Sequence, residues 1–307
     1  MKILIFGTGK FFERNQYNRD IADYEIVAFI DNDKSKHGLI LNDKIIYSPE
    51  NIHNLIYDKI IIMSSFAEKI KKQLLDLNIP EEKIIIYKDA ALQLKIFLSY
   101  FYLRGEGLEI GALHNPMEVN RDVCKVKYVD KKNIDGLISN YSHFNKNELV
   151  SVNIVDDGEC LNNIQDESQD FIIASHFLEH CKNPLQTIKN HFNKIKKNGI
   201  LFYVVPDKRF TFDKKRKLTE WQHLYNDYLQ LPDQFEHYYE FAALSETEEK
   251  KIIKLANRYI TEDFSIHFHV RDAKSLLNFF VKTSEMFGFE ILNYSSINGE
   301  LLCILKK

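Results

Sequence analysis

The chain has 307 residues, of which 45% are hydrophobic and 28% are charged. This length favours two domains, and the apolar content excludes a mainly disordered chain. The formal net charge of -3, from 41 basic and 44 acidic residues, leaves no overall basic field and excludes nucleic acid as the expected partner.

The first 88 residues alternate apolar runs with helical segments, which predicts an α/β domain with a small parallel sheet. The first run, Ile3 to Phe6, is too short for a signal peptide core or a membrane span and leads into Gly7 and Gly9. A second run ends at Asp31, where an acid can accept hydrogen bonds from ribose hydroxyls. Phe12 stands where the dinucleotide fingerprint has a third small residue, so a Rossmann-like scaffold without nucleotide is an equal alternative.

This region resembles the N-terminal nucleotide-sugar-binding domain of bacterial sugar acetyltransferases. The resemblance is carried by the segments Phe29 to Asp33 and Tyr47 to Pro49, with Gly38 between them. It implies a domain over residues 1–88 that binds a nucleotide or a nucleotide-linked sugar. Residues 89–106 are predicted to form a linker helix, because apolar side chains recur at helical spacing up to Arg104. Gly105-Glu106-Gly107 then breaks the helix.

A second strand-to-glycine junction follows, with Glu109 two positions before Gly111. Nineteen residues later the next apolar run ends at Asp130, which is placed to accept hydrogen bonds from both ribose hydroxyls. A third strand ends in Asp156 and Asp157, which could contact a ligand or serve as a turn or helix cap.

The fourth strand ends at Ser175-His176 and is followed by Phe177 to Pro184, a helix, Asn198-Gly199 and a further strand. These motifs, in this order, resemble class I S-adenosylmethionine-dependent methyltransferases. The later segments Val205 to Asp213 and Ile266 to Val270 resemble a bacterial group associated with surface-polysaccharide gene clusters. The resemblance implies a Rossmann-like methyltransferase domain over residues 107–307, with an antiparallel terminal hairpin. Two departures are Leu113 and Asn115 in the glycine loop, and Arg271 after the His-x-His-Val run.

The resemblance also implies a set of site residues. The cofactor would be S-adenosylmethionine and the product S-adenosylhomocysteine, held by Glu109, Gly111, Ala112, Asp130, Lys131, Asp156, Asp157, Ser175 and His176. The candidates for acceptor binding are Asp207, Arg209 and His223.

A hydroxyl acceptor needs a general base, and histidine is the usual one near neutral pH. The four catalytic candidates are His176, His180, His267 and His269, with His180 expected on the first turn of a helix. His267 and His269 alternate, so on a strand they would point the same way and, with Asp207 or another histidine, could bind a divalent metal. Hydrogen-bonded structural histidines are the alternative.

Residues from about 213 to 263 leave the strand pattern and become helical and aromatic, which predicts a cap over the active site. The favoured function is O-methylation of a sugar, free or nucleotide-linked, in capsule or other surface-glycan synthesis. The alternatives are a nucleotide-dependent sugar oxidoreductase or epimerase and a non-catalytic binding module. We expect a cytoplasmic protein, because four scattered cysteines form no Cys-x-x-Cys pair, and a homodimer is an option.

Overall fold

The computed structural model describes residues 1–16, 24–141, 144–230 and 232–307. The chain forms two compact units, Met1–Asp89 and Ala90–Lys307. Within the described residues, none of the helices combines the length and apolarity that crossing a membrane requires.

The first unit is a six-stranded sheet in the order β3-β4-β2-β1-β5-β6. All neighbouring strands are parallel except the short β3–β4 pair, so the predicted small parallel sheet is confirmed. Its elements are β1 Lys2–Phe6, α1 Lys10–Asn15, β2 Glu25–Ile30, β3 Ile40–Leu41, β4 Lys44–Tyr47, β5 Lys59–Ile62, α2 Ala67–Asp76 and β6 Ile84–Ile86.

The glycine after β1 is required by packing. Gly7 has φ +103°, and a Cβ there would lie 2.7 Å from the carbonyl oxygen of Met63. The Gly7 N–H also donates to the Ile30 carbonyl at 2.8 Å. Only a residue without a side chain therefore lets β1 leave the sheet between its two neighbouring strands.

The second unit contains a seven-stranded sheet in the order β12-β13-β11-β10-β7-β8-β9. β13 is antiparallel to both β11 and β12, and the other pairs are parallel. Its elements are α3 Ala90–Tyr102, β7 Gly105–Ile110, β8 Cys124–Asp130, α4 Ile134–Asn140, β9 Ile154–Val155, β10 Gln169–Ser175, α5 Pro184–Lys194, β11 Ile195–Pro206, α6 Trp221–Leu229, α7 Gln234–Ala242, α8 Glu249–Thr261, α9 Ala273–Phe287, β12 Glu290–Ile297 and β13 Glu300–Lys306. This order and the terminal hairpin confirm the predicted class I methyltransferase fold.

The strand order of the second sheet indicates where a ligand site is expected. Strands β7, β8 and β9 extend to one side and β10 and β11 to the other, so the order reverses between β7 and β10. Open α/β sheets bind ligands at such a reversal, beyond the carboxyl ends of the strands. The segments that follow β7, β8 and β10 therefore meet at one edge.

Two regions differ from the linker helix predicted for residues 89–106. Helix α3 belongs to the second unit, where Leu98 packs in a buried cluster with Phe171 and Phe202. Gly105 to Gly107 begin strand β7, because Gly107 packs directly on Phe171 of β10, where a Cβ would lie 2.4 Å from the ring.

The region expected as a cap contains helices α6, α7 and α8. Residues Tyr238, Ala242, Ile252 and Ala256 of α7 and α8 form a small core with the following segment 264–268. Helix α6 instead packs Leu224 and Trp221 on the main core. Thus much of the aromatic content of this region is used in packing.

Candidate active site

The Gly111 loop follows β7 at the reversal of the sheet. Gly111 has φ +65°, and among the described residues no heavy atom beyond its two chain neighbours lies within 4 Å of the position a Cβ would take. Its N–H donates to the Val129 carbonyl at 2.9 Å, which ties the loop to β8, and the Ala112 carbonyl accepts from Asn115 at 2.9 Å. Leu113, one of the two departures, also takes a positive φ of 48°. The loop thus keeps a glycine-type backbone path with open space beside Gly111.

Glu109 supports this loop from inside the protein. Its side chain is buried, and Oε1 accepts a hydrogen bond from the Met117 N–H at 2.7 Å. Oε2 is buried and has no hydrogen-bond partner among the described residues. Burial raises the pKa of Glu109 to about 7, against weaker lowering by the Met117 N–H and Arg121. Glu109 therefore fixes the loop and keeps one unsatisfied oxygen beneath it.

Asp130 is the last residue of β8, beside the Gly111 loop, and it is partly buried. Desolvation raises the pKa of its carboxyl, and hydrogen bonds from the backbone N–H groups of Lys131 and Lys132 oppose the rise. The Lys131 ammonium lies 3.6 Å from the carboxylate of Asp263, which joins this strand end to the segment after the cap helices.

The two acids after β9 have different roles. Asp156 is buried, and its carboxylate accepts from the N–H groups of Asp157 at 2.8 Å and Asn163 at 2.7 Å. Asp157 is exposed, and its Oδ1 accepts from the Glu159 N–H at 2.8 Å. Asp156 therefore serves the turn that sequence reasoning left as an alternative, whereas Asp157 faces solvent.

These residues fit S-adenosylmethionine. The loop offers open space at Gly111, Asp130 offers a carboxylate for hydroxyl groups, and Glu109 carries a buried oxygen that lacks a partner. A zwitterionic ligand with a ribose uses such features. Ser175 lies on the neighbouring strand end, paired with Val204 and partly buried.

His176 follows Ser175 and has a φ of +52°, which is uncommon for a residue with a side chain. Its ring is 45% exposed and lies 3.3 Å from the carboxylate of Glu300 and 3.6 Å from that of Glu179. Desolvation lowers the pKa of His176, but the two carboxylates outweigh it and the pKa is raised. His176 is therefore a cation near neutral pH, which suits an electrostatic role better than that of a base.

His180 has the features of a neutral base. It is the last residue of a short 3₁₀ helix, Leu178–His180, and the α-helix of this region begins later, at Pro184. Nδ1 lies 2.9 Å from the Ile266 carbonyl, which makes Nδ1 the donor and leaves Nε2 as an acceptor. Burial is the main cause that lowers the pKa of His180.

His267 forms a dyad with Asp213, and the two rings of His180 and His267 lie 4.8 Å apart edge to face. Nδ1 of His267 is 2.5 Å from Oδ2 of Asp213. Arg216, buried beside them, donates to Asp213 at 2.9 Å and to the His267 carbonyl at 2.7 Å. Desolvation raises the pKa of Asp213, but His267 and Arg216 outweigh it and the pKa is lowered. An ionised Asp213 thus orients His267 so that its Nε2 is free to accept a proton.

The structure separates His267 from His269. Residues 264–270 form no strand, because hydrogen bonds to Glu179 and Arg216 guide this segment, and the expectation that both rings point the same way is wrong. His269 is fully buried beside His223, His237 and Asp227.

The suggested metal set of His267, His269 and Asp207 is not brought together. Of the two clusters of possible metal ligands in the described part of the chain, His269 belongs to one and His267 to the other, and Asp207 to neither. The physical reason is local, because Asp207 caps the turn after β11 and binds Arg209 through both oxygens, with the shortest contact at 2.6 Å.

The three residues expected to bind the acceptor have different surroundings in the structure. Asp207 is fully buried and paired with Arg209, whose side chain is 56% exposed. His223 lies on α6 next to Asp227, 3.2 Å from its carboxylate. Arg209 alone of the three therefore remains open to a ligand.

Sequence reasoning passed over Glu179, Asp213, Arg216, Asp227 and His237 as site residues. The signal for Asp227 was present, because His223 and Asp227 are four residues apart and share one face of a helix. Asp213 and His267 are 54 residues apart, and no local pattern could pair them.

A model of the family described as methyltransferase domain matches residues 95–248. This match covers half of the chain, and it includes the Gly111 loop, Asp130 and His180. The chain belongs to this methyltransferase family. It is accordingly a methyl-transferring enzyme that uses S-adenosylmethionine, and its second unit has the corresponding fold.

Residues 1–85 of the methyltransferase match a second model, described as C2185-like, N-terminal. Comparison with curated proteins finds no match.

Solved structures of methyltransferases from three organisms are similar to the chain. An S-adenosylmethionine-dependent methyltransferase from Thermotoga maritima has 14% identity and a TM-score of 0.38, covering 79% of this chain and 96% of its own. One from Aquifex aeolicus has 12% identity and a TM-score of 0.38, covering 77% and 97%. One from Mesorhizobium loti has 12% identity and a TM-score of 0.39, covering 71% and 96%.

Proposed function

We propose that this methyltransferase transfers the methyl group of S-adenosylmethionine to a hydroxyl of a sugar, free or nucleotide-linked, in bacterial surface-glycan synthesis. The observation that carries the proposal is the dyad of Asp213 and His267, with Nδ1 and Oδ2 2.5 Å apart. The segment of His267 is tied to the residues after β10 by the Phe268 N–H, which donates to the Glu179 carbonyl at 2.8 Å. A sugar hydroxyl is a poor nucleophile until a base removes its proton, and an oriented imidazole supplies that base.

His267, Asp213 and His180 have different proposed roles in methyl transfer. S-adenosylmethionine supplies a methyl group already activated on a sulfonium. In the transfer the acceptor oxygen would bond to the methyl carbon while the carbon–sulfur bond breaks, with its electron pair left on the sulfur of S-adenosylhomocysteine. Nε2 of His267 takes the hydroxyl proton, and the ionised Asp213 stabilises the resulting imidazolium. His180, whose Nδ1 donates to the Ile266 carbonyl and whose ring meets that of His267 edge to face, is the second candidate for the same step.

Exposed aromatic side chains support a sugar acceptor. Phe212 is 61% exposed although its ring lies 4.8 Å from that of His267, and Phe210 is 63% exposed. Flat apolar rings beside a base suit the apolar face of a sugar, while Arg209 on the same turn offers a cation to an attached phosphate.

The first unit contains a cleft that supports a nucleotide-linked form of the acceptor. The cleft has a volume of about 640 Å³ and lies at the carboxyl ends of β1, β2 and β5. Three lysines line it, Lys10, Lys36 and Lys69, together with the Gly7 loop and Asp31. Cations around a loop at the ends of parallel strands suit a pyrophosphate group.

The test is methyl transfer from isotopically labelled S-adenosylmethionine to a panel of free sugars and nucleotide-linked sugars, read by mass spectrometry. We expect a product in which one sugar hydroxyl is methylated. Transfer only to amines, carboxylates or carbon acids, with no sugar product, would contradict the proposal while leaving the methyltransferase assignment intact.

A further inference from the structure

Four side chains meet beneath the cap helices, apart from the residues assigned to methyl transfer. His223 and Asp227 lie on α6, His237 lies on α7, and His269 lies in the segment that follows α8. One potential ligand atom of each lies within 4.8 Å of all the others. Three separate stretches of chain therefore converge on one point.

The distances match those around a small tetrahedral ion. Nε2 of His223 lies 3.3 Å from Nε2 of His237 and 3.2 Å from Oδ2 of Asp227. Oδ2 also lies 3.8 Å from a nitrogen of His237 and 3.8 Å from one of His269. Bonds of about 2.0–2.1 Å in tetrahedral geometry separate neighbouring ligands by about 3.3–3.4 Å, so a small contraction would complete such a site.

Hydrogen bonding alone does not satisfy this cluster. Oδ2 of Asp227 is buried, and the three imidazole nitrogens around it, at 3.2–3.8 Å, include none among the described residues that is aligned for a hydrogen bond to it. The His269 nitrogen that lies 3.8 Å from this oxygen is Nε2, which also faces the Lys182 carbonyl at 3.3 Å. Buried polar atoms that lack partners are costly, and an ion that accepts their lone pairs removes the cost.

We propose that His223, Asp227, His237 and His269 bind a zinc-class transition-metal ion. Three imidazoles and one carboxylate are the ligands that zinc prefers, whereas calcium and magnesium take oxygen ligands. Four protein ligands fill a tetrahedral site, which makes it structural and not the position of an acceptor oxygen. His223, whose side chain is 34% exposed, provides the path by which the ion enters.

The ion would link the cap helices to the catalytic segment. His269 is two residues after His267, so fixing His269 also fixes the backbone that places His267 against Asp213. The buried guanidinium of Arg271 lies near His269 and opposes a cation, while Asp227 supplies the compensating charge. The inference concerns a site that holds the cap in place, and it does not depend on which acceptor is methylated.

The test is to purify the full chain without metal-affinity chromatography and to measure its metal content by inductively coupled plasma mass spectrometry. We expect one zinc ion per chain, and after chelator treatment we expect Co²⁺ to give the intense visible bands of a tetrahedral site. His223→Ala is the main variant because that residue is the most exposed of the four, and Asp227→Asn is the second because it keeps the shape of the side chain. Each should weaken zinc binding by more than about 100-fold, beyond the loss caused by removing an outer-shell partner.

Two controls locate the ion. His53→Ala removes an exposed histidine of the first unit and should leave the metal content unchanged. His267→Gln removes a member of the other cluster of possible ligands and should also retain the ion. A chain that purifies without metal and binds neither Zn²⁺ nor Co²⁺ would overturn the proposal, as would metal retained in His223→Ala and Asp227→Asn or lost in His267→Gln. Methyl transfer is a separate readout, so loss of one hypothesis leaves the other standing.

Discussion

The two units of the chain contain the same sequence pattern, a strand that ends in glycine and a later strand that ends in an acid, yet they use it differently. In the first unit a Cβ on Gly7 would meet Met63, and Asp31 already accepts from the Thr8 N–H at 3.0 Å and from Lys36 at 3.0 Å. In the second unit the space beside Gly111 is open in the described part of the chain, and the Asp130 carboxyl accepts from the neighbouring backbone N–H groups of Lys131 and Lys132. The pattern thus predicts the fold in both units, but only the surroundings show whether glycine serves packing or access.

The same contrast explains how much could be predicted from the sequence. The alternation of strands and helices follows from apolar periodicity. The terminal hairpin and the general position of the site follow from the resemblance of short ordered motifs to methyltransferases. The partners of the histidines do not, because His267 meets Asp213 and His269 meets His237 through tertiary contacts over tens of residues. The expectation for Asp207 failed for a local reason, since a cap and an adjacent arginine satisfy its carboxylate.

The largest effect is expected on the rate of methyl transfer and not on cofactor binding, and it concerns His267 of the second unit. His267→Gln should lower kcat for methyl transfer by about 10²–10⁴-fold, the usual contribution of a general base, with the Kd for S-adenosylmethionine changed little. Steady-state kinetics and calorimetry measure the two quantities. A variant that retains full kcat would exclude His267 as the base, and His180→Gln then becomes the decisive variant.

The next effect compares Asp130 of the second unit with Asp31 of the first in their contribution to cofactor binding. Asp130→Ala should raise the Kd for S-adenosylmethionine by about 100-fold or more, because it removes two charge-assisted hydrogen bonds of about 1.5–3 kcal/mol each. Asp31→Ala is the matched change in the first unit and should leave this Kd unaltered. Equal losses in both variants would break the contrast between the units.

The two glycines should respond in opposite ways. Gly7→Ala should lower the free energy of unfolding by about 2 kcal/mol or more, because strain at positive φ adds to the collision with Met63. Gly111→Ala should cost only about 1 kcal/mol in stability, since the space is open, but should weaken cofactor binding about tenfold or more. Chemical denaturation and calorimetry on both variants test this reversal.

A further effect is a pH dependence of stability that arises from Glu109. Its pKa is about 7 in the folded protein, above the ordinary value of 4.5, so the folded state binds the proton more tightly. The resulting stabilisation is complete below about pH 4.5 and is lost as the pH rises to about 7, with a total of about 3 kcal/mol. Glu109→Gln, which keeps an acceptor for the Met117 N–H, should flatten this part of the profile. An unchanged profile in urea unfolding would place the carboxyl in a more polar environment.

Calorimetry of the full chain with S-adenosylmethionine decides whether Gly111, Glu109 and Asp130 form an open cofactor site. We expect micromolar binding at one site per chain, retained in Asp31→Ala and lost in Asp130→Ala. Absence of binding at millimolar cofactor, or binding that Asp31→Ala abolishes and Asp130→Ala does not, would contradict it.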